Sequence, residues 1–179
     1  MGIEGSAARD YFAAFGKMIL GGFEFKGRVK RPPTDPVNAM LSLSYTMIFN
    51  EISSLLDGLG FDPYLGYFHS VDYGRPSLAA DLIEEFRAPA ADRLTLYLVN
   101  QKIFKHEDFH ENPKGGGIYF RRDALKRYFV EYEQMLNREF LHPVTQERTT
   151  MRKCFRLQAE KMAAVIQKGG SYIPFSLEV

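Results

Sequence analysis

A cluster of acids and one histidine are the residues whose chemistry stands out in this sequence. Asp81, Glu84 and Glu85 are spaced i, i+3 and i+4. On a helix that spacing crowds like charges over one turn and costs ~0.2–0.5 kcal/mol per pair. Glu51 falls on the stripe Leu41, Ser44, Ile48, Glu51 and Leu55, the face of a long helix that otherwise turns to a core. An ionised carboxylate there needs a partner or a metal. His69, within Tyr67-Phe68-His69-Ser70, lies in the loop joining the two acidic helices. One imidazole nitrogen with two or three carboxylate oxygens suits Mg²⁺ or Mn²⁺, and the imidazole tilts the choice toward manganese. Zinc prefers more nitrogen or sulfur. Taken singly, each residue has an ordinary explanation: a salt bridge from Glu51 to Arg75 or Arg93, a solvated acidic turn, a structural histidine.

A second constellation, His106-Glu107-Asp108-Phe109-His110, spells H-E-x-x-H. Zinc protease chemistry needs both histidines on one face of a sturdy helix. Asn112-Pro113-Lys114 and three glycines follow at once, and the flanks are polar, so the match is read as chance.

The elements that must position these side chains are mostly helical. Apolar positions from Ser6 to Leu20 recur at helical spacing and Gly21-Gly22 end the run. Lys26 to Pro36 is a basic connector. Asp35 as N-cap and Pro36 in the first turn open a long helix to about Leu56. A turn-rich stretch covers Phe61 to Pro76, and Ser77 to Phe86 reads as a short helix buried through Ala79, Leu82, Ile83 and Phe86. After Pro89 an apolar helix runs through Leu94, Leu98 and Ile103. Lys105 to Gly117 reads as a loop and Gly117 to Phe120 as a short strand. Arg121 to Phe140 and Glu147 to Lys168 read as two amphipathic helices, and no repeat is evident. The expectation is a mainly α, multi-helix domain spanning residues 1–179.

Of the 179 residues, 45% are apolar and 14% aromatic, enough for a bulky core. The formal charge of +1 arises from 23 bases and 22 acids, so only segregation of the two signs carries information. Cys154 is the one cysteine, which excludes an internal disulfide and fits a reducing, cytoplasmic compartment. It reads as a packed thiol. No apolar run approaches the ~18–20 residues of a membrane span, and no signal peptide is expected. Met1-Gly2-Ile3-Glu4-Gly5 runs straight into a helical pattern, as in a chain cut from something longer.

Several ordered motifs together resemble one known family. They are Gly2-Ile3-Glu4-Gly5-Ser6-Ala7-Ala8-Arg9, Arg31-Pro32-Pro33-x-Asp35-Pro36-Val37-Asn38-Ala39 and Asn50-Glu51. Asp62-Pro63-Tyr64-Leu65-Gly66-x-x-His69 and the run from Gly74-Arg75-Pro76 to Phe86-Arg87 extend the match through Asp92-Arg93. The chain resembles the helical domain of the CRISPR-associated spacer-acquisition integrase, over well more than half its length, weakening after about Lys102. That resemblance implies a metal-dependent DNA endonuclease and integrase, working as a homodimer with a small ferredoxin-like partner protein. It carries the catalytic and metal-binding roles onto Glu51, His69 and Glu84, with Asp81 as accessory acid and Mg²⁺ or Mn²⁺ as cofactor. The family's amino-terminal β-rich domain has no counterpart here, so the resemblance further implies the carboxy-terminal part of a longer chain.

Such chemistry also needs cations along DNA. Arg148, Arg152 and Arg156 recur every four residues on the last expected helix. Arg121, Arg122, Lys126 and Arg127 cluster on another, Lys26 to Arg31 are basic, and Arg75, Arg87 and Arg93 flank the acids. A non-catalytic lobe that docks DNA or a partner is the alternative, in which the acids are salt-bridged.

Overall fold

In a computed structural model, the structure describes residues 2–68 and 76–177. His69 and Arg75 lie outside the described residues. The described residues form helices α1 (Ile3–Lys17), α2 (Pro36–Gly58), α3 (Ser77–Phe86), α4 (Arg93–Asn100), α5 (Arg122–Asn137) and α6 (Met151–Lys168). Two antiparallel hairpins complete the fold, β1 (Phe109–Glu111) with β2 (Ile118–Phe120) and β3 (Glu139–Leu141) with β4 (Arg148–Thr150). The chain is mainly α, as its hydrophobic periodicity indicates.

The long helix begins where capping chemistry says it should. Asp35 Oδ1 accepts the Asn38 backbone N–H at 2.8 Å, filling one of the orphan donors of the first turn. Its buried stripe runs Met40, Leu41, Ser44, Ile48, Ile52 and Leu56. The drift to Ile52 and Leu56 leaves Glu51 and Leu55 half-buried on the shoulder rather than at the centre of the stripe. Between α3 and α4 the chain does not break at Pro89. Arg87–Asp92 is π-helical, the wider turn that accommodates a residue lacking its N–H.

The expected last two helices require correction at their junction. Residues 139–150 form β3, a turn and β4, so Phe140 is a strand residue, and Arg148 lies on β4 rather than on α6. This hairpin copies the first one thirty positions later: Phe109↔Phe120 becomes Glu139↔Thr150, and Glu111↔Ile118 becomes Leu141↔Arg148. The turns match bond for bond. Asn112 N donates to Gly117 O at 2.9 Å and Gly116 N to Asn112 O at 3.1 Å; His142 N donates to Glu147 O and Gln146 N to His142 O, both at 2.9 Å. Gly116 and Gln146 occupy the left-handed region at φ 64° and 56°. Each hairpin leads into a helix, so a repeated supersecondary device exists where the sequence showed none.

The chain divides into two compact units. One comprises Met1–Ser44 and Arg93–Glu131, the other Tyr45–Asp92 and Tyr132–Val179. In the first, Phe104, Phe109, Phe120 and Tyr128 form a connected aromatic core, and Ser44 and Tyr128 share a buried hydroxyl–hydroxyl hydrogen bond. Burial pushes the Tyr128 hydroxyl well above the usual tyrosine range. In the second, Phe86 packs between Phe155, edge-on at 4.6 Å, and Phe175, stacked at 5.2 Å. Cys154 is buried and its thiol pKa is raised, chiefly by desolvation, as expected of a packing residue.

Within the first unit, Asn100 clips the segment after α1. Its Oδ1 accepts Leu20 N at 2.7 Å and its Nδ2 donates to Met18 O at 2.9 Å. The approach is so close that a Cβ on Gly21 would stand 2.0 Å from the Val99 carbonyl oxygen. Backbone cannot yield as a flexible side chain would. Gly21→Ala is expected to destabilise the protein by ~1–3 kcal/mol, the usual cost of overpacking, read as a lowered urea midpoint at unchanged m-value.

Candidate functional site

Glu51, on the shoulder of α2, is held by three donors from α5 and α6. Tyr132, fully buried on α5, donates its hydroxyl to Glu51 Oε1 at 2.8 Å. Arg152, in the first turn of α6, donates Nη2–H to the same Oε1 at 2.9 Å and Nε–H to Oε2 at 2.8 Å. The other edge of the guanidinium meets Glu133, with Nη1 at 2.7 Å and Nη2 at 2.9 Å from its two oxygens. Arg152 thus joins two carboxylates through a planar fork, which lysine could not do. Glu133 is held below the usual carboxylate range, first by the Arg152 hydrogen bond, and Arg152 is shifted further up by the two acids. Two unit charges at 4 Å attract by about 4 kcal/mol at an effective dielectric of ~20. Pairs with this much solvent access keep ~1 kcal/mol of that net.

Among the described residues the partner of Glu51 is therefore Arg152 rather than Arg93, and Arg75 lies outside them. Arg93 is exposed at the start of α4. Oε1 of Glu51 accepts two hydrogen bonds and Oε2 one, so among the described residues Oε2 keeps a lone pair.

The three acids of α3 separate rather than share one partner. Asp81 accepts the backbone N–H groups of Tyr67 and Phe68, at 2.5 and 3.1 Å, and so ties down the loop that leads to His69. Gly66 makes that possible: a Cβ there would lie 2.7 Å from Ser77 Cβ and 2.9 Å from Asp81 Oδ2. Glu84 is exposed and pairs with Arg87 at 2.9 Å, while Arg87 also lies over the Tyr45 ring. Glu85 accepts Gln158 Nε2 at 2.8 Å, the Tyr172 hydroxyl at 2.6 Å and the Phe175 N–H at 2.6 Å, pinning the segment after α6. Burial and the Glu85 carboxylate push the Tyr172 hydroxyl far up, so it remains a donor.

Among the described residues no three His, Cys, Asp or Glu side chains gather closely enough to hold a metal ion. Of the expected ligand set, Glu51 and Glu84 are described and His69 is not. The two acids are hard oxygen donors, each at least partly open to solvent, which suits Mg²⁺ or Mn²⁺. The H-E-x-x-H run is not a helix: His106 opens a 3₁₀ turn with its ring against Phe23, and His110 is on β1.

The expected cations are distributed differently from a single helical stripe. Arg148, on β4, pairs with Glu139 at 3.1 Å; Arg152 is committed to Glu51 and Glu133; Arg156 pairs with Glu160 at 2.7 Å. Arg127 bonds Asp108, and Arg121 donates to the Glu107 carbonyl. Arg28 of the basic connector docks that segment onto α2 through Asn38 and Ser42.

Comparison with known proteins fixes the family. The family model for CRISPR associated protein Cas1 matches residues 1–134. The chain belongs to the Cas1 family. It is 40% identical over 178 residues to a CRISPR-associated endonuclease Cas1 of Moorella thermoacetica, covering 97% of this chain and 52% of that protein. It is 42% identical over 158 residues to another of Thermus thermophilus, covering 88% of this chain and 47% of that one. The chain thus spans about half the length of the curated relatives it matches. A solved Cas1 protein from Thermotoga maritima superimposes with a TM-score of 0.81 at 26% identity, over 99% of this chain and 54% of that one. A casposase bound to its integration product shares the fold, with a TM-score of 0.86 at 22% identity over 97% of this chain and 49% of that one.

Tyr132 and Arg152 as partners of Glu51, and Glu133 as the second acid on Arg152, were missed as a group from sequence. The only available signal was Arg152 itself, an arginine in a first helical turn, where the helix dipole favours acids rather than bases. Asp81→Ala should free two amides that now bond a carboxylate. Hydrogen exchange at Tyr67 and Phe68 is expected to accelerate by about 10- to 100-fold, matching loss of ~1.5–3 kcal/mol hydrogen bonds to a charged group. Exchange at wild-type rates would mean that Asp81 does not order this loop.

Proposed function

We propose that this chain is the catalytic helical part of a CRISPR adaptation integrase, a divalent-metal-dependent DNA endonuclease that inserts spacer DNA by strand transfer. The observation that carries this reading is the Cas1 match over residues 1–134, which contain Glu51, His69, Asp81 and Glu84. Glu51, His69 and Glu84 would hold Mg²⁺ or Mn²⁺, with Asp81 ordering the loop before the histidine. When bound, the ion would lower the pKa of the attacking hydroxyl and neutralise charge building on the phosphoryl oxygens.

The protein's own part is to fix these donors. Tyr132 and Arg152 hold the Glu51 carboxylate in one orientation and leave Oε2 a lone pair. Arg87 and Arg93, with Arg75 between the histidine and α3, would meet the phosphates flanking the scissile bond. Arg148 and Arg156 are exposed and would exchange their glutamate partners for DNA. A 3′-hydroxyl as nucleophile gives integration, its reverse gives disintegration of branched DNA, and water gives cleavage. No nucleophile from the protein is required.

A homodimer and a small ferredoxin-like partner belong to this reading, with cytoplasmic location. Its support in partners is that one structural neighbour, 27% identical, is a Cas6-RT-Cas1–Cas2 complex. No helix among the described residues is long and apolar enough to cross a membrane.

A specific observation favours a second reading, a non-catalytic lobe that docks DNA or a partner: Glu51 is paired with Arg152 and Glu84 with Arg87. Incubation with branched or single-stranded DNA and Mn²⁺ separates the two. Glu51→Ala and His69→Ala are expected to lose at least about 100-fold in cleavage, the scale of removing a metal ligand or its support. Equal cleavage by wild type and variants defeats the enzyme reading, and intact DNA binding without any cleavage favours the docking lobe.

A further inference from the structure

Arg152 stands where a cation is expected on Glu51, and nothing in the proposed reaction assigns it that role. We propose that Arg152 is a resident counter-cation of Glu51 that holds down the affinity of this carboxylate for divalent metal. The proposal rests on the metal reading above.

The geometry supports it on three counts. Arg152 takes both oxygens of Glu51, through Nε to Oε2 and Nη2 to Oε1. Tyr132 fills the remaining capacity of Oε1, so any cation must use Oε2, the oxygen that already accepts Arg152 Nε–H. Glu133 draws on the opposite edge of the same guanidinium, so Arg152 is shared between the two acids. A positive charge sharing an oxygen with a dication opposes it directly, and arginine cannot neutralise itself by losing a proton. The opposing effect, loss of carboxylate orientation when Arg152 is removed, is smaller, because Tyr132 still anchors Oε1 from a fully buried position. Charge therefore decides the sign.

The test is Mn²⁺ binding to the 179-residue chain, measured by calorimetry and by the Mn²⁺ electron paramagnetic resonance signal rather than by activity. Arg152→Gln, shown folded by circular dichroism, is expected to bind Mn²⁺ about tenfold more tightly, equivalent to ~1.4 kcal/mol. A merely structural role for Arg152 predicts the opposite sign. Arg152→Lys retains the charge and should stay within about threefold of wild type. Glu133→Gln leaves Arg152 to Glu51 alone and should weaken binding by about threefold or more, and it decides the matter if Arg152→Gln prevents folding. Unchanged or weaker binding by R152Q, a lysine variant as tight as R152Q, or unchanged binding by E133Q overturns the proposal. Glu51→Gln separates the two levels. Binding that ignores Glu51 sinks the metal reading itself, whereas Glu51-dependent binding with no tightening in R152Q sinks only the role of Arg152.

Discussion

A carboxylate on the shoulder of a packed helix must be answered by hydrogen-bond donors or positive charge, and most of the described site follows from how that is done for Glu51. The guanidinium of Arg152 reaches it edge-on, and the same plane continues to Glu133. One charge faces two acids, so the trio carries a net negative charge rather than being neutral. That surplus is what separates this arrangement from an ordinary structural salt bridge, which is balanced. Tyr132 adds a neutral donor from a site without solvent, holding the carboxylate in place without cancelling its charge. The result is an oriented, incompletely compensated carboxylate, a state that favours a further cation without requiring one.

The acids of α3 solve the same problem separately. Asp81, Glu84 and Glu85 repel one another across a single turn, and the fold gives each a different kind of partner. Backbone amides take Asp81, a side-chain arginine takes Glu84, and a hydroxyl, an amide and a main-chain N–H take Glu85. The partners grade from fixed to mobile. Amides of a loop and of the segment after α6 are geometrically bound to their acids, whereas Arg87 is a long side chain, itself partly exposed. Glu84 is thus the acid of this turn seen paired with a partly exposed side chain rather than with main-chain groups. Position on the helix, not acid type, assigns the roles.

The sequence made the helices legible because each carries its own stop and start chemistry. Asp35-Pro36 marks the beginning of α2, and Ser77 to Phe86 bounds α3 to the residue. The β3–β4 hairpin was hidden because its strands have three residues each, too few for a period of two to register beside the helical pattern on both sides. His142-Pro143 was the local sign of a turn, outweighed by the arginine spacing that drew Arg148 into a helix. The repeat was hidden for a related reason. What recurs is hydrogen bonding at the turns, and of the corresponding turn residues only Pro113 and Pro143 are identical. The candidate acids stood out in the sequence by their unusual charge placement. Their partners did not, because Glu51 and Arg152 are separated by 101 positions and nothing local links them.

The β3–β4 hairpin explains how one of those distant partners, Arg152, comes to serve the carboxylate. A tight hairpin fixes the direction and rotation with which its following helix starts. Thr150, the last residue of β4, caps α6 by accepting the Lys153 N–H at 3.3 Å, so Arg152 is set in the first turn with little freedom of rotation. Before α5 the corresponding residue, Phe120, carries no hydroxyl, and Arg121 N donates instead to Asp108 O at 2.8 Å. Tyr132 and Glu133 then follow at a fixed phase along α5. Within the second unit α5 carries the buried hydroxyl and the competing acid, and α6, which the β3–β4 hairpin starts, carries the arginine. A basic residue in a first helical turn is opposed by the helix dipole, so Arg152 has reason to lean on acids rather than on its own helix. The arginine gains acids in place of an unfavourable dipole and Glu51 gains a partial counter-charge, which ties the start of α6 to α2.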